Sequence, residues 1–296
     1  MNNSAIISEF DAENIKMDII REAVSCRFHS GGKTFHDRKY SSGWTTRPLT
    51  TFTHLLKGRN RITFDKSSSN TILRGSGHTT YLPAGVWRKT EGISQEGLSF
   101  IWVRVSFTIF GGMDLLSFFN VPHVFSIKYA NDFRNLISGL LEFENAGETS
   151  LIRKAVKMEK ILYELLYLVL ELSENREDSF YSLGTAQRLA PALEYINAHF
   201  NRIIEVEKLA KMSGLSKSRF HRVFKQAFNV SPTEYQLRLK IRETQKLLLF
   251  SDLNMTQIAE RTGYTDQFYF SRTFKSRFGQ SPMQYRKNNL VDRYSL

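Results

Sequence analysis

The chain has 296 residues, 41% of them hydrophobic, and a formal net charge of +12. This length allows two domains that each bury a core of their own. The lone cysteine, Cys26, excludes a disulfide framework and cysteine-based zinc sites, and we expect it to be an inert packed residue. The first residues lack a basic start followed by an apolar run, so a secretory signal peptide is not expected.

Most of the positive charge lies in the C-terminal third. From Thr185 onward, 19 lysines and arginines accompany 9 acidic residues, so ten of the twelve net charges fall there. A basic segment on a near-neutral body is typical of a protein that binds a polyanion such as DNA. The most apolar helical stretch, Ile161 to Leu170, is interrupted by Glu164 and is too short to span a bilayer. We therefore expect a cytoplasmic protein without a membrane partner.

The first 120 residues or so are predicted to form short strands. Their β-rich runs are separated by clusters of glycine, serine and asparagine. The runs are Ala23–Phe28, Leu49–Leu56, Arg61–Phe64, Thr79–Leu82 and Phe100–Phe107. Many short strands at close spacing favour a small barrel or sandwich.

From about residue 131 the apolar residues follow a helical period. Phe133, Ile137 and Leu140 share one face of a short predicted helix. A longer helix is predicted from Ser150 to Leu172, with a broad apolar face from Ile152 to Val169. Two interpretations fit that face: it contacts a second copy of the chain in a homodimer, or it packs under the strands of its own domain.

A polar, acidic segment separates these helices from the C-terminal part. It runs from Leu172 to Thr185 and is typical of a linker. We therefore predict an α+β chain with a ligand-sensing and dimerising domain in residues 1–172, a linker in 173–185 and an all-α domain in 186–296.

One pattern occurs twice in the C-terminal part, fifty positions apart. Each unit predicts a short helix, a turn containing Gly214 or Gly263, and a second helix with a basic outer face, with Ser216 and Thr265 as expected N-caps. This arrangement is a helix-turn-helix. The residues Phe220, Arg222, Phe224, Lys225, Phe228, Ser231, Pro232 and Tyr235 recur as Phe270, Arg272, Phe274, Lys275, Phe278, Ser281, Pro282 and Tyr285.

A single helix is predicted to connect the two units. Ser231, Pro232 and Glu234 form a capping box with proline at the first helical position. A helix from Pro232 to about Leu248 would be roughly 25 Å long. Such a bridge suits two recognition helices that enter successive major grooves on one face of DNA.

The outer faces of the two second helices carry groups that recognise DNA. Arginine bonds guanine bidentately, glutamine bonds adenine and an aromatic ring contacts the thymine methyl, whereas lysine at a helix end holds phosphate. For Arg222 and Arg272 the alternative is an ion pair within the domain, and for His221 a solvated surface position. The candidate DNA-binding residues are Ser218, Arg219, His221, Arg222 and Lys225 in the first unit and Gln267, Phe268, Tyr269, Ser271, Arg272 and Lys275 in the second.

The stretch LAKMSGLSKSRFHRVFKQAFNVSP, followed by IAERTGYTDQFYFSRTFKSRFGQSPMQYR, strongly resembles the AraC/XylS family of bacterial transcription regulators. The resemblance implies a domain of two helix-turn-helix units joined by a linker helix, with promoter DNA and RNA polymerase as partners. Asn229 stands where glycine is frequent in the family. The resemblance places the base-facing positions on Ser218, His221 and Arg222, and on Gln267, Phe268, Tyr269 and Arg272.

The N-terminal half resembles the cupin-type, sugar-binding barrel of many such regulators. The residues that carry this resemblance are Gly43-Trp44, Arg47-Pro48-Leu49, Leu82-Pro83-Ala84-Gly85 and Trp102-Val103. It implies that Arg47 and Trp102 contact a sugar, and Trp44 and Arg88 are further candidate ligand-binding residues. Trp44 fits a core position equally well. Arg88 and Lys89 follow the turn where the family usually has histidine, and they suit either an acidic or phosphorylated ligand or a solvated rim.

These features predict a dimeric transcription regulator that binds promoter DNA and responds to a small molecule, expected to be a carbohydrate. No catalytic residue, cofactor or metal ligand is expected, because His29, His36, His54 and His78 lack ligand spacing. The alternative is a metal-dependent cupin enzyme fused to a DNA-binding domain. A DNA-repair protein with the same tail would need a reactive cysteine, which Cys26 alone does not suggest.

Overall fold

The structure is a computed structural model that describes residues 23–37, 40–65, 70–110, 112–142, 150–175, 179–228 and 230–290. It confirms an α+β chain with a β-rich N-terminal region and a helical C-terminal region. Asn229, noted above as a departure from the family pattern, lies outside the described residues.

The N-terminal strands form two antiparallel sheets. In the larger sheet the order is β1 (Ser25–His36), β7 (Leu98–Ile109), β2 (Thr50–Lys57) and β5 (Thr79–Leu82), and β8 (Met113–Asp114) pairs with β7. In the smaller sheet the order is β4 (Thr71–Gly75), β3 (Arg59–Phe64) and β6 (Arg88–Gly92). The short strands β9 (Phe119–Asn120) and β10 (Glu174–Asn175) pair with each other. Among the described strands, no pairing joins the two main sheets into one closed barrel.

Strand β7 is covered on both faces. Its apolar row, which includes Val103 and Phe107, packs in one core with α1 (Ala130–Leu141) and α2 (Leu151–Glu171). The residues that alternate with this apolar row include Trp102 and Arg104, which pair in register with Thr53 and Thr51 of β2. They form a polar row on the opposite face of the sheet. The larger sheet is therefore apolar towards the helices and polar towards the smaller sheet.

A buried arginine ties the two sheets together across this polar row. Arg74 of β4 donates from Nε to Asn60 Oδ1 of its own sheet at 2.9 Å. Its Nη1 donates to the Thr53 carbonyl at 2.9 Å and to Thr80 Oγ1 at 2.7 Å in the larger sheet. Burial lowers the pKa of Arg74 to about 9. The side chain is satisfied by neutral oxygens, and its hydrogen bonds fix the spacing of the sheets.

The described residues of the C-terminal region form seven helices. They are α3 (Ser179–Ala198), α4 (Val206–Met212), α5 (Lys217–Phe228), α6 (Pro232–Phe250), α7 (Met255–Arg261), α8 (Gln267–Phe278) and α9 (Pro282–Leu290). Helix α3 begins at Ser179, inside residues 173–185, which we expected to be a linker. The domain boundaries are not tested by this and remain a prediction. No helix in the described ranges is both long and apolar enough to cross a membrane.

The helical region contains two separate cores. The first core joins α3, α4 and α5 and is continuous with the core beneath the larger sheet. The second core is formed by α7, α8, α9 and the end of α6, with Ile258 and Phe270 at its centre. The first helical unit is therefore packed into the N-terminal region, whereas the second is an independent cluster.

One buried histidine, His54, and one half-buried histidine, His29, make stability depend on pH. His54 of β2 has its Nδ1 2.9 Å from Thr79 Oγ1. Burial, helped by the positive charges of Arg134 and Arg74, lowers the pKa of His54 from 6.5 to about 4. Burial likewise lowers the pKa of His29 in β1 to about 4. Between pH 6.5 and about 4, the two histidines bind protons in the unfolded chain but not in the folded chain. The free energy of unfolding therefore falls as the pH decreases.

We expect the free energy of unfolding to fall between pH 6.5 and 4, by up to about 1.4 kcal/mol per pH unit for each histidine. Denaturant unfolding at a series of pH values measures this slope. The substitution His54→Gln should make the slope shallower, and the double variant with His29→Gln shallower again. A slope that both substitutions leave unchanged would contradict the assignment.

Candidate nucleic-acid interface

The first helix-turn-helix unit consists of α4, a glycine turn and α5. Gly214 in the turn has φ +62°, the left-handed conformation that glycine adopts without a steric penalty. Ser216 Oγ accepts the N–H of Arg219 at 3.4 Å and begins α5. The predicted turn and cap are confirmed.

The second unit repeats this order with α7, Gly263 and α8. Gly263 has φ +69°. The cap of α8 is Asp266, whose Oδ1 accepts the Tyr269 N–H at 2.7 Å. The expected cap, Thr265, is wrong by one residue, because the carboxylate is the better acceptor and its charge also suits a helix N-terminus.

The same aromatic cluster holds each unit. The ring centroids of Phe224 and Tyr235 are 5.5 Å apart and edge-to-face, and those of Phe274 and Tyr285 are 5.3 Å apart in the same arrangement. The repeat in the sequence is therefore a repeat of the core. In both helices the first two phenylalanines of the repeat are buried and the third is half-buried: Phe220, Phe224 and Phe228 in α5, and Phe270, Phe274 and Phe278 in α8.

Helix α6 connects the units and fixes the second turn. Its 19 residues correspond to about 28 Å, and Ser231 Oγ caps it by accepting the Glu234 N–H at 3.1 Å. Lys240 Nζ donates to the Gly263 carbonyl at 2.7 Å and lies 4.0 Å from the centre of the Tyr264 ring. The role of Lys240 was not expected from the sequence, since the contact joins separate helices.

The structure leaves the candidate DNA-binding side chains on the outside of both units. Within the described part of the chain, neither Arg222 nor Arg272 lies within 4.0 Å of a carboxylate oxygen, so an internal ion pair gains no support. Phe268 is 74% exposed, an unusual position for a large apolar ring that has no partner molecule. Ser218, Arg219, Arg222, Lys225, Gln267, Phe268, Tyr269, Arg272 and Lys275 are exposed, and His221 and Ser271 are half-buried.

Neighbouring side chains orient two of these residues. Gln267 Oε1 accepts a hydrogen bond from Thr256 Oγ1 of α7 at 2.7 Å. The Tyr269 N–H lowers the pKa of the Asp266 carboxyl, and the charge of Arg272 contributes to the same shift. The start of α8 thus presents an amide oriented by Thr256, and the exposed Arg272 lies on the same helix.

Comparison with known proteins supports this geometry. Residues 209–288 match a family described as a helix-turn-helix domain. The chain is 26% identical over 295 residues to the Msm operon regulatory protein of Streptococcus mutans, covering 97% of this chain and 98% of that protein. It is 23% identical over 254 residues to the lactose operon transcription activator of Staphylococcus xylosus, covering 77% of this chain and 86% of that protein.

Residues 209–288 are an AraC-type helix-turn-helix domain, and the relatives of the chain are AraC-family regulators. The structure of ToxT from Vibrio cholerae has the same fold, with a TM-score of 0.52 at 13% identity over 90% of this chain and 98% of that one. The named relatives are regulators rather than enzymes. Like them, this chain is a DNA-binding transcription regulator.

The candidate ligand-binding residues of this regulator lie in different surroundings. Trp102 is buried in the polar row, its Nε1 donates to Thr34 Oγ1 at 2.9 Å, and the Arg104 guanidinium lies 4.2 Å from its ring centre. Arg88 is buried on β6, whereas Trp44 is exposed. In the described ranges, no group of three or more histidine, cysteine or acidic residues is placed to hold a metal ion.

Arg47 instead reaches the DNA-binding part of the regulator. It hydrogen-bonds to the hydroxyl of Tyr285 in α9, a contact that opposes the effect of burial, which raises the pKa of Tyr285. The same hydroxyl accepts from Gln245 Nε2 of α6 at 2.8 Å and donates to the Thr46 carbonyl at 3.2 Å. The resemblance gave no indication of this contact, and the role of Arg47 in ligand binding remains a prediction.

The two turn glycines differ in what surrounds them, and this allows a matched test. A Cβ at Gly263 would overlap the carbonyl of Asn201, whose Nδ2 donates to the Arg261 carbonyl at 3.3 Å. A Cβ at Gly214 would meet no atom within 4 Å. Both positions share the left-handed backbone, so only the second turn adds a steric conflict.

We expect Gly214→Ala to cost about 1–2 kcal/mol of stability from backbone strain alone. Gly263→Ala should cost about 1–3 kcal/mol more, because a backbone segment must also move. Denaturant unfolding followed by circular dichroism measures both losses. Equal losses would show that the contact between Gly263 and Asn201 is not tight.

Proposed function

We propose that this regulator controls carbohydrate-utilisation genes by binding their promoter with α5 and α8 in successive major grooves, under the control of a carbohydrate bound in its N-terminal region. The observation that carries the proposal is the pair of exposed recognition faces joined by one helix. The names of the relatives add the biological setting, since one of them activates a lactose operon.

The geometry of α6 supports binding to one face of DNA. At about 28 Å the helix is close to the length of one DNA turn, about 34 Å. Arg222 and Arg272 occupy equivalent outward positions and are suited to guanine. The units differ at Ser218 and Phe268, so they would read different bases.

The N-terminal region supports a cupin-like sensor. The face of the larger sheet that is turned towards the smaller sheet carries the polar row of β7 and buried threonines of β2, which include Thr51 and Thr53. An indole ring and hydroxyl groups suit a hydroxyl-rich ring. We therefore assign Trp102, together with Arg47, Trp44 and Arg88, to ligand binding.

The outer face of α2 supports a homodimer. The inner face is buried, whereas Ile152, Val156, Tyr163 and Tyr167 form an exposed apolar stripe at helical spacing. Because such a stripe on a surface helix is typical of helix–helix association, we propose α2 as the dimer interface. The dimer would act in the cytoplasm, where it meets promoter DNA and RNA polymerase.

Two substitutions separate base reading from phosphate binding. Arg272→Ala should cost roughly 1–3 kcal/mol on the preferred operator and relax the preference at one base pair. Lys275→Ala should weaken operator and random DNA alike and make the salt dependence shallower. Fluorescence anisotropy on an operator selected from random DNA, at several salt concentrations, measures both.

Arg202→Ala, an exposed arginine outside both units, is the control for loss of one positive charge. If Arg272→Ala weakened operator and random DNA equally, Arg272 would not read a base. If neither variant affected DNA, the proposed binding face would be wrong.

A charge in the middle of the α2 stripe should separate the dimer. Val156 is 63% exposed, so Val156→Glu should leave the fold intact but weaken the dimer by at least about tenfold, because the interface would bury an unpaired charge. Arg153→Glu, on an adjacent exposed face, is the control. Sedimentation equilibrium measures the association, and a Val156→Glu dimer as tight as the native one would exclude this interface.

A further inference from the structure

A cavity of about 700 Å³ lies where the N-terminal sheets meet the DNA-binding helices. One wall is formed by Pro48, by Val86 and Trp87 in the turn between β5 and β6, and by Asp114 of β8. The other wall is α6 together with the C-terminal ends of α5 and α8. This volume is typical of sites for metabolite-sized molecules. None of Trp44, Arg47, Arg88 and Trp102 lines this cavity, although Thr46, Pro48 and Trp87 do.

The polar part of the wall is cationic. Arg238, Arg242 and Arg277 line the cavity, and Asp114 is the one acidic residue among its described lining residues. Arg238 is paired at 2.9 Å with Glu234 of its own helix. Burial raises the pKa of the Asp114 carboxyl, whereas the charge of Arg242 lowers it, so Asp114 is the group that competes with an anion for Arg242.

Arg242 is placed to receive an anion. Its Nε is buried and has no hydrogen-bond partner among the described residues, and the nearest carboxylate oxygen, Glu243 Oε1, is 4.0 Å away. A buried donor without an acceptor is costly, and a ligand oxygen would relieve that cost. Guanidinium groups bind phosphate and carboxylate in a planar, two-bonded geometry.

The apolar part of the wall suits a ring. The centroids of Trp87 and Phe278 are 6.3 Å apart, so an aromatic corner joins the turn after β5 to the end of α8. Phe228, at the end of α5, lines the cavity opposite the sheets. Aromatic side chains provide large apolar contact to planar or sugar rings at little entropic cost.

We propose that this cavity is a second effector site, separate from the carbohydrate site, which binds a small organic anion. Its phosphate or carboxylate group pairs with Arg242, and its ring packs against Trp87 and Phe278. Because the walls include the ends of both recognition helices, the ligand is held by the same elements that position the two units on DNA. Binding of the anion in this site would therefore change the affinity for DNA, and binding of DNA would change the affinity for the anion.

The test is isothermal titration of the full-length protein with four probes at constant ionic strength: glucose 6-phosphate, glucuronate, phenyl phosphate and inorganic phosphate. We expect at least one organic anion to bind with a Kd below about 1 mM and to bind more tightly than inorganic phosphate. The phosphate and carboxylate probes identify which anionic group the site prefers. If no organic anion binds, or if inorganic phosphate binds as tightly as all of them, the proposal is wrong.

Two variants locate the binding. Arg242→Gln should weaken the anion roughly tenfold, since a charge-assisted hydrogen bond is lost. Asp114→Asn should strengthen it several-fold, because it removes the repelling charge and keeps the side-chain oxygen that accepts the Leu116 N–H at 3.0 Å. Arg61→Gln, an exposed arginine on the outer face of β3, is the control.

Binding that neither variant changes would place the anion elsewhere and overturn the site. The melting temperature of Arg242→Gln shows whether this variant folds. If it does not, the affinity of Asp114→Asn for the anion decides: an affinity above that of the unmodified protein supports the site, and an unchanged affinity overturns it. Operator binding by the unmodified protein, measured in the same buffer, tests the proposed function separately. A protein that binds its operator but no anion would refute only this second site.

Discussion

The buried hydroxyl of Tyr285 joins the two halves of this regulator. It holds the amide of Gln245 in α6 and the carbonyl of Thr46 at the entry to β2, and Arg47 bonds to it as well. A buried donor or acceptor that loses its partner costs about 1–3 kcal/mol, so these groups favour one docked position of α9. Tyr235, the equivalent residue of the first unit, is half-buried, and the charges of Arg242 and Asp114 act on its hydroxyl. The repeat therefore supplies two tyrosines that serve as core rings, and Tyr285 also contacts the N-terminal region.

The two units are nevertheless attached differently. The first unit shares a continuous core with the helices under the larger sheet, and displacing it would expose that core. The second unit has its own core, and specific contacts position it: Lys240 to Gly263, Gly263 against Asn201, and Tyr285 to Thr46. Local opening requires the least free energy where few apolar contacts are lost. A signal from the N-terminal region would therefore act mainly on the placement of the second unit relative to the first.

Patterns within single helices were enough to predict much of the helical region. Contacts between residues far apart in the chain could not be predicted, because they leave no pattern in the sequence. The phenylalanine repeat and the cap at Ser231 depend on spacings within one helix, so the sequence shows them directly. Strand β6 was not predicted, because Arg88–Gly92 is almost entirely polar and its burial comes from pairing with β3. The apolar face predicted for α2 is divided in the structure: Ile161, Leu165 and Val169 are buried, whereas Ile152 is exposed. The contact of Tyr285 with Thr46 spans 239 positions and leaves no periodic signal.

The differences between the units determine what kind of DNA sequence one chain can read. The cores of α5 and α8 are nearly identical, so both helices project from their units in the same way. Their exposed faces differ, with Ser218 where the second unit has the exposed ring of Phe268, and His221 where it has Ser271. Two similar scaffolds with different faces read two different base sequences, so the site of one chain has no internal symmetry. Any symmetry in an operator would have to come from a second chain, and the association of α2 helices would then set the spacing between the two asymmetric sites.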